Sequence, residues 1–212
     1  MSQRDPIASA SIATQQAFTA IYRNGTWGRN AQGFGTSGPG STVQGTLVYR
    51  PYLQHFLKAN AIRSVVDAGC GDWGFSQAID WTGIDYKGFD IVESVIAQDK
   101  QKFERPNIQF FHGNFIEMDL PRADLLLCKH VLQHLPTVMV MKFLPQLSKY
   151  KHALLTNGVN AKTLSAPNYD IAPGDYRYLD LTAYPFNRDA IKVLTYWDGG
   201  HMTQVLHFMN AK

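Results

Sequence analysis

The chain has 212 residues, of which 45% are hydrophobic and 17% charged, and it carries a net charge of +3. This length and composition predict one folded domain and exclude disordered, collagen-like and low-complexity chains. Because the net charge is small and the Lys and Arg residues are not clustered in the sequence, nucleic acid is disfavoured as a partner.

The first 60 residues predict two helices separated by a glycine-rich loop. Apolar residues recur at helical spacing over 11–22 and 47–59, and Pro51 suits the first turn of the second helix. Seven glycines lie between these helices, in 25–45, where no apolar periodicity is found. A long irregular loop is therefore expected, and loops of this length are uncommon unless they are functional.

From residue 61 onward the patterns of strands and helices alternate. We predict strands over 64–68, 86–90, 108–111, 123–128 and 152–156, and helices over 74–81, 94–103 and 136–147. Such alternation requires crossover connections and therefore a parallel sheet with helices on both faces. Segments 191–197 and 202–209 flank the turn Asp198-Gly199-Gly200-His201, which predicts a final antiparallel hairpin.

The predicted fold class is thus α/β, a doubly wound, Rossmann-like sheet of seven strands that is mostly parallel with a C-terminal antiparallel hairpin. Residues 1–212 are expected to form a single domain, with N-terminal helices and a glycine-rich loop in 1–60 and the core in 61–212. Segment 157–189 has many turn residues and no clear period, so it is a second candidate for a functional loop.

Two strand ends carry candidate ligand-binding residues. The first strand ends in Asp67-Ala68-Gly69-Cys70-Gly71, whose glycines allow a sharp turn close to a ligand. Asp90 ends the second strand about 20 residues further on, where a carboxylate can bind the hydroxyls of a ribose. This pairing suits several nucleotides, but Asp72 would repel a diphosphate placed at the turn. A sulfonium compound with a free amino group meets no such repulsion, which favours S-adenosylmethionine.

Residues 62–135 resemble the class I S-adenosylmethionine-dependent methyltransferases. Segment 67–71 is similar to the family's first motif, which holds the methionine part of the cofactor, and Gly88-Phe89-Asp90 is similar to the second motif, which binds the ribose. In His112-Gly113-Asn114-Phe115, Asn114 replaces the usual acidic residue near the adenine and can accept the same hydrogen bond through its carbonyl. Segment 124–135 is similar to the fourth strand and its exit in small-molecule members.

The resemblance implies a set of cofactor-binding residues. These are Tyr22, Trp27, Asp67, Gly69, Gly71, Trp73, Asp90, Ile91, Asn114, Phe115 and Lys129. Because extensions before the first strand often lie over the cofactor in this family, the loop 25–45 is expected to be a lid. A solvent-exposed connector is the alternative interpretation of this loop.

A methyl transfer to an alcohol requires a base, and a histidine with a pKa near 6.5 suits that role. His134 is our first candidate and His130 the second, and packed core histidines are the alternative. Their spacing of four also invites a zinc site, but no third ligand is indicated and no metal is expected. For the acceptor we predict four residues of segment 157–189: Tyr176, Arg177, Tyr178 and Asp180. Their rings suit a sugar, although they also fit a role in packing the sheet.

The predicted function is O-methylation of a hydroxyl of a sugar, a glycan or another small molecule. A nucleic-acid or protein methyltransferase and a non-catalytic S-adenosylmethionine-binding subunit are the alternatives. No segment of about 20 apolar residues predicts a membrane span, and Met1–Ala13 lacks the pattern of a secretory signal. With two cysteines, Cys70 and Cys128, a reducing cytoplasmic location is expected. The sequence leaves the oligomeric state open.

Overall fold

The computed structural model describes residues 6–198 and 200–210. Its helices are α1 (Pro6–Asn24), α2 (Tyr49–Ala59), α3 (Glu93–Phe103) and α4 (Thr137–Phe143). Its strands are β1 (Ser64–Ala68), β2 (Asp85–Asp90), β3 (Ile108–His112), β4 (Leu125–Lys129), β5 (His152–Val159), β6 (Ile191–Trp197) and β7 (Met202–Met209). Met1–Asp5, on which the predicted absence of a secretory signal partly rests, lie outside the described residues. So does Gly199, which belongs to the predicted hairpin turn Asp198-Gly199-Gly200-His201.

The seven strands form one sheet in the order β3-β2-β1-β4-β5-β7-β6. β1 to β5 run parallel to their neighbours, whereas β7 is antiparallel to both β5 and β6. This arrangement confirms the predicted fold class. Since β1 lies between β2 and β4, the strand order reverses at β1, and ligands of such sheets bind in the crevice at the carboxyl ends of the strands near that point.

The central strands are almost entirely buried because both faces of the sheet are covered. All five residues of β4 are buried, as are all residues of β5 after its first. One apolar cluster contains residues of α1 and α4, and the other contains residues of α2. Strands buried on both faces are typical of parallel sheets between helical layers.

The helix predicted over 74–81 is wrong, since the structure has only a 3₁₀ turn at Ser76–Ala78. Ile79 already has an extended backbone with ψ 139°, and the Trp81 indole donates a hydrogen bond to the Ser76 carbonyl over 2.8 Å. Ile79 and Trp81 are both buried. So short a segment is a weak helix nucleus, and packing of its large side chains overrides the helical propensity.

The helix predicted over 136–147 ends earlier than expected. α4 stops at Phe143, and Leu144–Lys149 continues as a 3₁₀ helix. Pro145 accounts for the change, because proline lacks the amide hydrogen that an α-helix needs and clashes with the preceding turn.

The segment 25–45 is irregular, as predicted, apart from the 3₁₀ turn Pro39–Ser41 and a bridge between Arg29 and Gly35. It is fastened to the turn after β1. The Ser37 amide donates to Asp72 Oδ2 over 3.1 Å, and the Asp72 amide donates to Ser37 Oγ over 2.8 Å. Across the described part of the chain, no helix is both long and apolar enough to cross a membrane.

Candidate active site

A cavity of about 810 Å³ opens at the carboxyl edge of the sheet. Its wall combines residues of α1, of segment 37–49, of the ends of β1, β2 and β4, and of the turn after β6. Small-molecule sites commonly occupy about 300–1,000 Å³, so this cavity lies near the upper end of that range.

Most of the predicted site residues meet in this cavity. It is lined by Tyr22, Trp27, Asp67, Gly69, Gly71, Asp90, Ile91, Asn114, Phe115, Lys129, His130, His134 and Tyr176. Trp73, Arg177, Tyr178 and Asp180 are not among its lining residues.

The turn after β1 has the backbone that only glycine adopts without strain. Gly69 has φ 85° and Gly71 has φ 57°. A β-carbon at Gly69 would collide with the side chain of Val131, and one at Gly71 with that of Ser37. The two glycines therefore allow Val131 and Ser37 to pack directly against this turn, which lines the cavity.

Asp90 joins this turn to the end of β2. Its Oδ2 accepts a hydrogen bond from the Gly71 amide over 3.0 Å, and its Oδ1 accepts one from the Val92 amide over 2.9 Å. Burial raises the pKa of Asp90, while the two amide donors act against that rise. Each carboxylate oxygen has two acceptor sites, so Asp90 retains acceptor capacity toward the cavity.

A second carboxylate, Asp67, lies beside a lysine. Burial raises the pKa of Asp67 to about 7, and the hydroxyl of Tyr86, which donates to Asp67 Oδ2 over 2.7 Å, opposes the rise. Burial lowers the pKa of Lys129 to about 8, against the attraction of Asp198 and Asp67. Both groups therefore titrate within a few units of neutral pH.

Lys129 connects the loop 25–45 to the end of β4. Its ammonium donates to the Gly40 carbonyl over 2.6 Å and lies 3.3 Å from His130 Nδ1. The ammonium also lies over the rings of Tyr49 and Phe75, at 5.4 and 5.6 Å from their centroids. Such cation–π contacts add to the hydrogen bond to the loop.

Both nitrogens of His130 face polar partners. Since the Lys129 ammonium can only donate, His130 Nδ1 accepts and Nε2 carries the proton. Nε2 lies 3.6 Å from Asp198 Oδ2 and 3.4 Å from Thr203 Oγ1. Burial, followed by the charge of Lys129, lowers the pKa of His130. Residues 6–198 and 200–210 contain no group of three His, Cys, Asp or Glu side chains placed to hold a metal ion.

His134 has a different environment, made of aromatic rings. It packs 5.0 Å from Trp27, 5.7 Å from Tyr176 and 6.4 Å from Phe18 between ring centroids. His134 Nδ1 lies 2.9 Å from the Asp175 carbonyl, which can only accept, so Nδ1 carries the proton. Burial lowers the pKa of His134. The ring is therefore neutral at pH 7, with Nε2 as its basic nitrogen.

Asn114 lies at the far end of the cavity, after β3. Its Nδ2 donates to Ser11 Oγ over 2.7 Å, and its Oδ1 accepts from the Ile116 amide over 3.1 Å. The side chain is thus fixed between α1 and the β3 exit, with one acceptor site of the oxygen still available.

Trp73 is buried in the core and does not reach the cavity. Its indole is 2% exposed and packs 5.0–5.7 Å from the rings of Tyr86, Phe103 and Phe110. Trp73 has φ 53°, a left-handed backbone that is unusual for a bulky residue. The apolar neighbours explain why the ring packs inward.

Two charged residues of segment 157–189 are used within the protein. Arg177 is fully buried, and its guanidinium donates to the Leu135 and Tyr169 carbonyls over 2.7 Å each. Asp180, 2% exposed, accepts hydrogen bonds from the side chains of Ser165 and Thr182. Both residues fasten the segment, and neither faces the cavity that Tyr176 lines.

The lining residues that were not predicted from the sequence include Ser37, Tyr49, Gln133, Asp198 and Thr203. A signal for the last two exists in the predicted hairpin. Because β7 is antiparallel to both β5 and β6, β6 runs parallel to β5 and the turn after β6 reaches the cavity edge. Ser37 lies in the predicted loop 25–45 and Gln133 in segment 124–135, whereas Tyr49 stands in no recognisable motif.

Residues 29–159 match the O-methyltransferase domain family. The chain belongs to this family. It is a class I S-adenosylmethionine-dependent methyltransferase, which confirms the resemblance, the enzyme class and the cofactor predicted from the sequence. No curated relative matches the chain.

Solved structures show the same fold as this O-methyltransferase at low identity. The magnesium protoporphyrin IX methyltransferase of Synechocystis PCC 6803 with bound SAM has a TM-score of 0.58 and 18% identity, covering 79% of this chain and 80% of that one. Human N-acetylserotonin methyltransferase in complex with SAM has a TM-score of 0.57 and 19% identity, covering 93% of this chain and 59% of that one. The methyltransferase domain of bacterial CtHen1 has a TM-score of 0.58 and 15% identity, covering 79% and 98%.

Two acidic side chains in the cavity wall of the O-methyltransferase suit a cationic cofactor. S-adenosylmethionine carries a positive sulfonium, and the buried carboxylates of Asp67 and Asp90 line the same wall of the cavity. This wall is therefore suited to a cationic nucleoside.

Proposed function

We propose that this enzyme O-methylates a hydroxyl of a sugar, a glycan or another small molecule, with His134 as the general base. The observation that carries the proposal is the 2.9 Å contact between His134 Nδ1 and the Asp175 carbonyl in the wall of the cavity. This contact fixes the tautomer in which Nε2 accepts a proton.

The surroundings of His134 support its role as a base. Burial lowers its pKa, so the ring is unprotonated at pH 7. In the described part of the chain, the polar neighbour of Nε2 is the Gln133 amide nitrogen at 3.4 Å, a long and weak contact. Gln133 is oriented by the Gly158 amide, which donates to its Oε1 over 2.7 Å. An acceptor hydroxyl can displace so weak a contact.

His130 is the weaker candidate because both of its nitrogens have partners. Lys129 donates toward Nδ1, and Nε2 points its proton at Asp198. We assign His130 the role of orienting Lys129, whose ammonium donates a hydrogen bond to the Gly40 carbonyl of the loop 25–45. In this proposal the loop is the lid of the site.

S-adenosylmethionine supplies the methyl group when it is bound. Asp90 is placed to accept hydrogen bonds from the ribose hydroxyls. The turn that contains Gly69 and Gly71 lines the cavity and is proposed to hold the methionine part. Tyr22, Trp27, Ile91, Asn114 and Phe115 are proposed to enclose the nucleoside. The protein's contribution is to align the acceptor with the methyl group, to exclude water and to remove the hydroxyl proton.

In this proposal the methyl acceptor is bound by aromatic rings and not by charged side chains. Tyr176 lines the cavity next to His134, and Tyr178 packs behind it at 5.7 Å between ring centroids. Arg177 and Asp180 drop out of the acceptor proposal, because their charged groups are bonded to other groups of the protein: Arg177 to the Leu135 and Tyr169 carbonyls, and Asp180 to the Ser165 and Thr182 hydroxyls. Cys70 and Cys128 are free thiols, which fits a cytoplasmic enzyme.

The test compares wild type with His134→Ala by the S-adenosylhomocysteine released over a panel of glycosides and other small alcohols. General-base catalysis contributes about 10²- to 10⁴-fold, so turnover should fall by that factor. Affinity for S-adenosylhomocysteine should stay within about threefold, since a base acts in the transition state.

The matched control is His55→Ala, which removes an exposed histidine of α2. It should retain wild-type turnover. Near-normal turnover of His134→Ala on the best acceptor would assign His134 a structural role and return His130 to consideration as the base.

A further inference from the structure

Three large apolar side chains surround the mouth of the active-site cavity. Leu47 is 54% exposed, Val48 47% and Trp197 58%, and all three line the cavity. We call these three residues the apolar rim. Single exposed apolar side chains are ordinary on protein surfaces, but a group of them at one cavity mouth marks a binding surface.

The apolar rim is one surface although it comes from two distant parts of the chain. Leu47 and Val48 precede α2, and Trp197 ends β6. The next residue in the first segment, Tyr49, stacks on Tyr196 with 6.4 Å between ring centroids. This contact holds the start of α2 against the end of β6.

The apolar rim lies at the end of the cavity away from the ribose site. Asp90 ends β2, and four steps of the sheet order separate β2 from β7, while β6 lies one step further. At about 4.8 Å a step, this is on the order of 20 Å. His134 follows β4, between these ends. The rim is therefore on the acceptor side of the proposed base.

The charged groups near the rim already have partners. Asp198 accepts a hydrogen bond from Thr203 Oγ1 over 2.8 Å and one from the His201 amide over 3.2 Å. Lys129 donates to the Gly40 carbonyl. A ligand that reaches the rim consequently contacts apolar surface and charged groups that are already paired. Such a surface favours a neutral apolar group of the ligand.

We infer that the methyl acceptor is amphiphilic, with a hydroxyl near His134 and an apolar group, a ring or an acyl chain, covered by the apolar rim. This inference rests on the proposed function, because His134 fixes where the hydroxyl lies. It narrows the substrate class to hydroxyl compounds that carry a hydrophobic substituent. A bare polar sugar leaves the rim uncovered.

The experiment uses matched glucosides that differ only in the substituent: methyl, hexyl and phenyl β-D-glucoside. Binding to the enzyme saturated with S-adenosylhomocysteine is measured by calorimetry. We expect the hexyl or the phenyl compound to bind at least tenfold tighter than the methyl compound. Trp197→Ala and Leu47→Ala should each reduce this preference to threefold or less.

The control is Met209→Ala, which removes an apolar side chain of the same 58% exposure at the opposite edge of the sheet. It should retain the full preference. Equal or undetectable binding of all three glucosides would overturn the inference. So would a change from dimer to monomer in Trp197→Ala, since the rim would then be an interface between copies of the chain.

The two proposals fail in different ways. If S-adenosylhomocysteine itself does not bind, the proposed function is overturned and this inference falls with it. If S-adenosylhomocysteine binds and His134→Ala loses turnover while the glucosides show no preference, only the amphiphilic acceptor is excluded.

Discussion

The Gly71 amide donates a hydrogen bond to Asp90 Oδ2 over 3.0 Å, which joins the first two cofactor motifs directly. Asp90→Asn should therefore weaken S-adenosylhomocysteine binding, because it removes the charge that ribose hydroxyls and this amide both contact. Hydrogen bonds to charged groups contribute about 1.5–3 kcal/mol, equivalent to roughly 10- to 150-fold in affinity. Calorimetry measures the change.

Asp85→Asn is the matched control for Asp90→Asn, since Asp85 begins the same strand and is exposed. Its variant should bind S-adenosylhomocysteine as wild type does. Equal affinities of all three proteins would remove Asp90 from the ribose site.

The loop 25–45 is expected to exchange its amide hydrogens more slowly when S-adenosylhomocysteine binds. Ser37 ties this loop to the Asp72 amide and to the Tyr22 hydroxyl, at 2.8 and 2.7 Å. Because each such hydrogen bond contributes about 1 kcal/mol, Ser37→Ala should weaken ligand binding by about 1–2 kcal/mol and reduce the protection of the loop. Hydrogen–deuterium exchange with and without the ligand measures the protection.

Thr36→Ala provides the comparison, because Thr36 bonds the loop through its backbone amide, which the substitution retains. Its exchange should resemble that of wild type. Identical exchange of residues 25–45 with and without ligand would make the loop a connector and not a lid.

Much of the fold was predictable because apolar runs bounded by turn residues mark the strands. β1, β6 and β7 have the bounds expected from their apolar runs and flanking turn residues, and the other strands differ by up to three residues at an end. The residues of the first two motifs were predictable for a related reason. Their positions follow from where parallel strands end, and the ends of neighbouring strands meet at one edge.

The acceptor side was less predictable because it depends on contacts between distant segments. Arg177 belongs to a loop rich in aromatic residues, and only the fold shows that the Leu135 carbonyl, 42 residues away, accepts from its guanidinium. Tyr49 and Trp197 meet the cavity through the packing of α2 against β6. No local pattern in the sequence encodes those neighbours.

Arg177→Ala should destabilise the enzyme strongly. The substitution leaves the buried carbonyls of Leu135 and Tyr169 without their donor, and an unsatisfied buried group costs about 1–3 kcal/mol. The loss should total about 3 kcal/mol, or about 6–12 °C in Tm for a chain of this size. Differential scanning calorimetry measures the shift.

Arg188→Ala is the matched control for Arg177→Ala, since Arg188 lies in the same segment and is exposed. It should leave Tm within about 1 °C of wild type, because exposed substitutions change stability little. If both arginine variants melted together with wild type, Arg177 would not fasten segment 157–189.

A histidine pair between β5 and β7 is expected to make stability depend on pH. His152 Nδ1 lies 3.1 Å from His207 Nε2, and the ring of Phe56 packs against both rings at 5.6 and 5.1 Å. Burial lowers the pKa of both histidines, and Lys151 adds to the effect on His152. Both rings are therefore neutral in the folded protein at pH 7.

The direction follows from which state binds protons. Below the unfolded pKa of about 6.5, the two histidines of the unfolded chain become protonated, whereas in the folded protein they stay neutral to a lower pH. The free energy of unfolding therefore decreases as the pH falls. The stabilising effect of the pair is complete above about pH 6.5. Each proton changes this free energy by at most about 1.4 kcal/mol per pH unit.

His207→Phe tests this dependence, because it keeps a ring beside Phe56 and removes one titrating group. In urea unfolding between pH 8 and 5, the free energy of unfolding of His207→Phe should decrease less than that of wild type. Taking the difference between the two curves cancels the contribution of the other titrating groups, which both proteins share. His55→Phe, an exposed position on α2, should follow the wild-type curve. If His207→Phe and wild type lose stability in parallel between pH 7 and 5, the acid sensitivity arises elsewhere, and the contact between His152 and His207 has no role in it.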